Sequence, residues 1–155
     1  MKKEITNEGR EADIQNFILK HAAKGKAFLK FTGTDKKGKS ITLNKSVRKT
    51  NRKYDVVWLN YNAKYNDNVS EDVHILPWLV SDTGTLFVSL RQGSVPWMPR
   101  GTDQSVIDLA YVMFIKDALS KVNVATKQFY KKEYLRDTKK KKSAKMIVYG
   151  LKWIK

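Results

Sequence analysis

The chain has 155 residues, with 31 Lys or Arg against 15 Asp or Glu, which gives a formal net charge of +16 and an isoelectric point near 9.9. Its hydrophobic content of 41% exceeds what disordered chains carry, and its length suits one domain, expected over residues 1–155. The absence of cysteine excludes disulfides, thiolate metal sites and cysteine nucleophiles. We find no apolar stretch of membrane-spanning length and no signal-peptide pattern, so we expect no membrane partner and a cytoplasmic protein.

The positive charge is divided between the two ends of the chain. Residues 1–50 and 101–155 each carry 13 basic and 5 acidic residues, net +8, whereas residues 51–100 carry 5 of each and are neutral. A charge this large implies a polyanionic partner, because each Lys or Arg beside a phosphate releases condensed counterions. The run from Lys139 to Lys142 repels itself, so we expect a mobile turn over residues 136–145.

The apolar pattern predicts a short helix and five strands in the first part of the chain. The helix covers about residues 11–24, where Ile14, Phe17 and Ile18 share a face. The strands are predicted at 26–34, 41–47, 54–62, 73–80 and 85–91, with turns at 35–39 and 81–84 and a loop at 63–70.

A long helix and a hairpin follow. The helix is predicted over residues 102–122, and the hairpin strands at 127–135 and 146–154. One apolar stripe of the helix is expected to face the core: Val106, Leu109, Ala110, Met113, Phe114 and Leu119. This order of elements suggests a mostly β, α+β fold, in which an antiparallel sheet curls into a barrel of the oligonucleotide/oligosaccharide-binding (OB) type with the long helix at one end. The alternative is a dimeric whirly-type sheet of four strands followed by a helix.

Aromatic and basic residues at alternate strand positions indicate a nucleic-acid interface, because a single strand needs a basic groove and rings that stack on bases. Phe, Tyr and Trp are also common core residues, and Trp58, beside two valines, favours the core. The candidate binding residues are Phe28, Lys30, Arg48, Lys49, Arg52, Lys53, Trp58, Phe87, Arg91, Tyr130, Lys132, Tyr134 and Lys140.

From Val73 onward the chain resembles small single-stranded DNA-binding proteins of phages and plasmids from Gram-positive bacteria. The similarity lies in the segments ILPWLVSDTGTLFVSL, DQSVIDLAYVMFIKDALSKV and QFYKKEYLRDTKKKKSAKMIVYGLKW. This resemblance implies an OB-type barrel that coats single strands during replication or recombination with little sequence preference. It also implies a location in the host cytoplasm if a phage encodes the chain. The basic end, GLKWIK, departs from the acidic tail that many single-strand binders carry.

Two other functions stay open. A metal-dependent nuclease needs clustered carboxylates, for which Asp72, with His74 nearby, is a candidate. A regulator that binds duplex DNA or RNA needs a helix that reads the major groove, and the long helix is too apolar for that. We therefore expect a non-enzymatic protein without cofactor or metal, whose partner is single-stranded nucleic acid and which can form homo-oligomers.

Overall fold

The structure, a computed structural model, describes residues 9–23, 25–43, 53–136 and 143–154. Within these ranges the chain forms three α-helices and six strands. In chain order they are β1 (Gly9–Arg10), α1 (Glu11–His21), β2 (Phe28–Phe31), β3 (Tyr54–Asn60), α2 (Asp67–Ile75) with a 3₁₀ turn (Leu76–Trp78), β4 (Val80–Arg91), α3 (Gln104–Lys121), β5 (Ala125–Arg136) and β6 (Ala144–Ile154). The predicted short helix, long helix and final hairpin are confirmed.

The strands form one mixed sheet in the order β1-β5-β6-β4-β3-β2, in which β1 has only two residues. The pairs β2–β3, β3–β4 and β1–β5 are parallel, whereas β6 is antiparallel to both of its neighbours, β4 and β5. The α+β class is confirmed. The sheet is mixed rather than mostly antiparallel. Its described strands do not close into a barrel, because β1 and β2 are edge strands that do not pair with each other. Nor do they follow the whirly order of four strands and then a helix.

Helix α2, which connects the parallel strands β3 and β4, lies at residues predicted as a loop and a strand. Asn66 caps this helix by accepting a hydrogen bond from the Val69 amide at 3.1 Å. Val69, Val73 and Leu76 are then buried at helical spacing, and Pro77 is tolerated in the first turn of the 3₁₀ helix. A helix between β3 and β4 allows the crossover that parallel neighbours require.

The predicted turn at residues 81–84 lies within β4 as a bulge. Val80 pairs with Tyr54 and Thr85 with Val56, so four residues of β4 face one residue of β3. Close packing requires Gly84 in this bulge, because a Cβ there would lie 2.3 Å from Cγ1 of Val80.

Of the predicted hairpin over residues 26–47, the turn and the first strand, present as β2, are confirmed. The amide of Asp35 donates to the Lys39 carbonyl at 2.9 Å, and Gly38 takes a φ of +82°. Strand β2, however, pairs in parallel with β3. Residues 44–47, at the end of that hairpin, lie outside the described ranges.

Helices cover both faces of the sheet. α2 and α3 pack on one face, against aliphatic side chains such as Val57, Val88 and Ile147, and form the larger core cluster. α1 packs on the other face, where Ile14 and Ile18 are buried in a second cluster. The protein is thus a three-layer sandwich with its sheet in the middle.

Helix α3 buries a different side from the one that the sequence predicts. Its buried residues are Ile107, Asp108, Tyr111, Val112, Ile115, Ala118 and Leu119. Of the predicted stripe, Leu119 is buried, but Val106, Leu109, Met113 and Phe114 are between 41% and 58% exposed. Burying the other side is possible because its polar atoms find partners: the Asp108 carboxylate accepts from the side-chain amides of Gln92 and Gln104.

Candidate nucleic-acid interface

Helix α1 covers the sheet face that carries most of the predicted base-stacking aromatics. Trp58 and Tyr134 are each 1% exposed and Phe87 is 0% exposed. All three pack in one cluster with Ile14 and Ile18 of α1. A base cannot stack on a ring that it cannot reach, so these three residues belong to the core and we remove them from the candidate interface.

The half-buried aromatics of this face are also engaged with α1. The Tyr130 ring stacks on Phe17, with centroids 3.9 Å apart and planes 16° apart, and Phe28 packs against the same cluster. The sequence contained one indication that α1 covers this face, namely the apolar stripe of α1 itself. Ile14, Phe17 and Ile18 require an apolar surface, and the aromatic side of the sheet supplies it.

The predicted cations have varied surroundings. Lys53 and Lys132 are exposed, and Lys30 is exposed with its ammonium 4.7 Å from the centre of the Trp58 ring. That distance is typical of a cation–π contact. The remaining candidates, like most of the predicted turn at 136–145, lie outside the described residues: Arg48, Lys49, Arg52 and Lys140.

A polar hollow of about 490 Å³ lies at the carboxyl ends of β2 and β3. Parallel strands present their carboxyl ends at one edge of the sheet, where α/β proteins commonly bind ligands. Most of its lining carries amides or hydroxyls: Thr32, Gly33, Thr34, Ser40, Ile41, Asn60, Tyr61, Asn62, Ala63, Asn66, Asn68, Asp72 and Arg136.

A second hollow, of about 820 Å³, lies beside the first at the carboxyl end of β4. Asn62, Ala63 and Asn66 line both, so the two form one depression, which we call the carboxyl-edge trough. The lining specific to the second hollow is more apolar: Lys64, Tyr65, Asp67, Arg91, Val95, Pro96, Trp97 and Phe114.

Two accessible aromatic rings line this second hollow. Trp97 is 40% exposed and Phe114 is 41% exposed, with ring centroids 5.2 Å apart, and the Tyr65 ring lies 5.4 Å from Phe114. The sequence analysis missed all three, because Trp97 lies in none of the predicted elements, Tyr65 lies in a predicted loop and Phe114 was expected to face the core. The sequence did indicate that Trp97 could be accessible, because this tryptophan lies in a loop with no apolar strand around it.

Arg91, a predicted binding residue, also lines the second hollow. Its amide donates to the Ala63 carbonyl at 2.9 Å, and its carbonyl accepts from the Tyr111 hydroxyl at 3.0 Å, so its backbone is fixed. The guanidinium Nε is buried and has no hydrogen-bond acceptor among the described residues. A buried donor of this kind is costly unless a bound group supplies an acceptor, and phosphate oxygens suit guanidinium well.

Arg136, by contrast, is used by the fold. Its Nε donates to Glu11 at 2.8 Å, Nη1 to the Tyr61 carbonyl at 3.0 Å, and Nη2 to Asn60 and to the Tyr134 hydroxyl. It reaches β3 from β5 although β4 and β6 lie between them, so the sheet is curved at this edge. Its cationic group is therefore committed to holding the wall of the first hollow.

Asp72 forms part of the floor of the first hollow. Its carboxylate is buried and accepts from the Leu43 amide at 2.7 Å and the Tyr61 hydroxyl at 2.6 Å. Burial raises the pKa of the Asp72 carboxyl, and these two hydrogen bonds oppose part of the rise. The nearby His74 ring nitrogen Nδ1 lies 2.7 Å from the Ser70 carbonyl. In the described part of the chain, no three His, Asp or Glu side chains converge on a position where a metal ion would bind.

Comparison with known protein families, curated proteins and solved structures gives no significant match. None of the helices in the described ranges combines the length and apolar character needed to span a lipid bilayer.

Proposed function

We propose that this protein binds single-stranded nucleic acid in the carboxyl-edge trough, with bases stacked on Trp97 and Phe114 and the backbone held by Arg91. DNA is the form implied by the resemblance to phage and plasmid proteins. The trough replaces the aromatic face predicted from the sequence, which α1 covers. The proposal is for sequence-tolerant binding, without a catalytic step.

The observation that carries the proposal is the pairing of two features in one hollow. Two accessible aromatic rings line this hollow together with Arg91, whose buried Nε has no acceptor in the described part of the chain. A base and its phosphate match these two features, since every base has a stacking face and every linkage has acceptor oxygens. An apolar small molecule would use the rings but leave the arginine donor unsatisfied.

The amide lining of the first hollow favours tolerance of sequence. Asn62 and Asn68 are exposed there, and an amide both donates and accepts, so it can bond to the edges of different bases. The walls are held by contacts within the protein, such as those of Arg136, and need little ordering when a strand binds. Low reorganisation favours affinity.

The net charge of +16 supplies the long-range attraction. The lining of the trough itself is only modestly basic: Lys64, Arg91 and Arg136 against Asp67 and Asp72. Most of the positive charge therefore lies outside the lining of the trough, where it can attract a strand to the protein and neutralise phosphates beyond the bound bases. We expect affinity to fall with salt, by a slope of about −0.7 per neutralised phosphate in a plot of log K against log salt.

The first test is fluorescence anisotropy with a labelled oligo-dT, a duplex and an oligo-U strand of equal length over a salt series. We expect oligo-dT to bind more tightly than the duplex, because stacked base pairs offer no free faces to Trp97 and Phe114. Equal or tighter duplex binding would contradict the proposal, and preference for oligo-U would assign the trough to RNA.

The second test locates the site. Trp97→Ala should weaken oligo-dT binding about 10-fold, within the roughly 1–3 kcal/mol that a stacked base contributes. The matched control is Trp78→Ala, because Trp78 is 66% exposed but precedes β4, at the opposite edge of the sheet. Arg91→Met, which keeps the packing of the side-chain stem, should weaken binding and reduce the salt slope. Equal effects of Trp97→Ala and Trp78→Ala would exclude the trough as the site.

A further inference from the structure

The outer side of α3 carries an apolar stripe that the proposed function does not use. Val106 is 47% exposed, Leu109 57% and Met113 58%, and Ala110 lies between them on the same side. Their spacing of three and four residues is that of a helix face that packs against another element. The opposite side of α3 already packs on the sheet, so α3 is apolar on two sides.

We infer that a second copy of this chain packs on this stripe, with the two α3 helices antiparallel about a twofold axis near Ala110. In a twofold interface each surface must complement itself. The stripe meets this condition, because the small Ala110 leaves room for Leu109 of the other copy, and Val106 lies opposite Met113. Large exposed apolar stripes are otherwise rare on monomeric proteins.

Charge favours a second copy at this face. The exposed charges of α3 and its N-cap are Asp103 and Asp117 against Lys116 and Lys121, so this face is neutral in a chain of +16. Two copies of so basic a protein repel each other across most of their surface, and this face is where they can approach with least repulsion.

The antiparallel arrangement also matches the ends of the helix. Asp103 lies at the N-terminal end of α3, whereas Lys116, Asp117 and Lys121 give its C-terminal end a net charge of +1, with Lys121 paired to Asp117 at 3.2 Å. Antiparallel packing sets the acidic end of each helix beside the basic end of the other and opposes the two helix dipoles. A parallel pair would instead set like charges together.

Self-association through this face does not require nucleic-acid binding, and the two differ in how they respond to salt. Raising salt screens the repulsion between basic copies, so we expect self-association to strengthen or stay constant, whereas binding to oligo-dT weakens. Trp97→Ala should weaken oligo-dT binding and leave self-association unchanged, because Trp97 lies in the trough.

The test is sedimentation equilibrium of the full chain at about 100 μM, a concentration that populates interfaces with micromolar dissociation constants. We expect a dimer, and Leu109→Glu should raise its dissociation constant about 100-fold, because it buries unpaired carboxylates in the interface. Leu19→Glu is the matched control, since Leu19 on α1 is 43% exposed. Equal melting temperatures for the two variants confirm that both remain folded.

A second measurement identifies the face directly. The chain has no cysteine, so a single introduced thiol forms a disulfide only with another copy. Ala110→Cys should form a disulfide-linked dimer on mild oxidation, and Leu19→Cys should not. A monomeric wild-type chain at this concentration would overturn the inference, as would a dimer that survives Leu109→Glu or the absence of cross-linking by Ala110→Cys.

Discussion

The guanidinium of Arg136, at the carboxyl end of β5, donates from Nε to Oε2 of Glu11 on α1 at 2.8 Å. The Arg136 side chain is 11% exposed and the Glu11 side chain 34%, so the pair is partly shielded from water. Through this contact the helix that covers the aromatic face is linked to the edge of the sheet that carries the trough.

Arg136→Met should lower the free energy of unfolding by about 2–4 kcal/mol, because it leaves several partly buried acceptors without a donor. Glu11→Gln should cost less, about 1 kcal/mol or below, since Glu11 is more exposed and its amide can still accept. Urea titrations of both variants measure the difference. A larger loss for Glu11→Gln than for Arg136→Met would show that the other contacts of Arg136 contribute little.

Thr126→Val should stabilise the protein. Thr126 on β5 is 8% exposed, and its hydroxyl has no hydrogen-bond partner among the described residues. Valine keeps the shape and removes the unsatisfied group, so we expect a gain of about 1 kcal/mol in unfolding free energy. Ser89→Ala is the contrasting variant, because the Ser89 hydroxyl accepts from Nε1 of Trp58 at 3.0 Å and its loss should destabilise. Equal signs for the two variants in urea unfolding would refute this explanation.

Trp58→Phe should leave oligo-dT affinity within about two-fold of the wild type while lowering stability, since Trp58 lies in the core under α1. Phe87→Leu should behave in the same way. Both residues were candidate stacking platforms in the sequence, so the experiment separates the covered face from the trough. Anisotropy titrations under conditions where each variant is fully folded provide the measurement, and a 10-fold loss in either would restore the sequence-based site.

Stability should fall steeply above pH 10. Burial raises the pKa of Tyr111 from 10.0 to about 12, and burial also raises the pKa values of Tyr61, Tyr134 and Tyr149. A raised pKa means that the folded state keeps the proton longer than the unfolded state, so this stability is complete below pH 10 and is lost as pH rises through the folded pKa. We expect these phenols to ionise together with unfolding.

Tyrosinate absorbance and far-UV circular dichroism, recorded over one alkaline titration, test this. Coincident transitions are expected. Early ionisation of most tyrosines without loss of structure would contradict the buried positions of these rings.

The existence of α3 could be predicted from the sequence, but its orientation could not. Apolar residues recur at helical spacing on two of its sides, and the choice depends on partners far along the chain. Tyr111 donates to the Arg91 carbonyl, and Asp108 accepts from Gln92, so the side with more polar groups is the buried one. The periodicity of apolar residues does not show which polar side chains will find hydrogen-bond partners in the folded protein.

The carboxyl-edge trough could not be predicted because one segment of the sequence was assigned to the wrong type of element. The segment from Val73 to Val80 is rich in apolar and β-branched residues, which is typical of a strand, yet the Asn66 cap and the spacing of buried Val69 and Val73 make its first part helical. Once α2 is a helix, β3 and β4 become parallel and their carboxyl ends meet at one edge. Because this segment was predicted as a strand, the sequence analysis did not place residues such as Asn60 and Arg91 at the same edge of the sheet.

The position of β6 has a consequence for synthesis of the chain. This strand follows β4 and β5 in sequence but lies between them in the sheet, bonded to both. While the chain is being made, β4 and β5 each offer a row of unpaired amides and carbonyls until residues 144–154 leave the ribosome. Exposed strand edges invite pairing with other chains. We therefore expect nascent or truncated chains that lack β6 to aggregate, and a ribosome-released chain to become protease-resistant only after this strand has inserted.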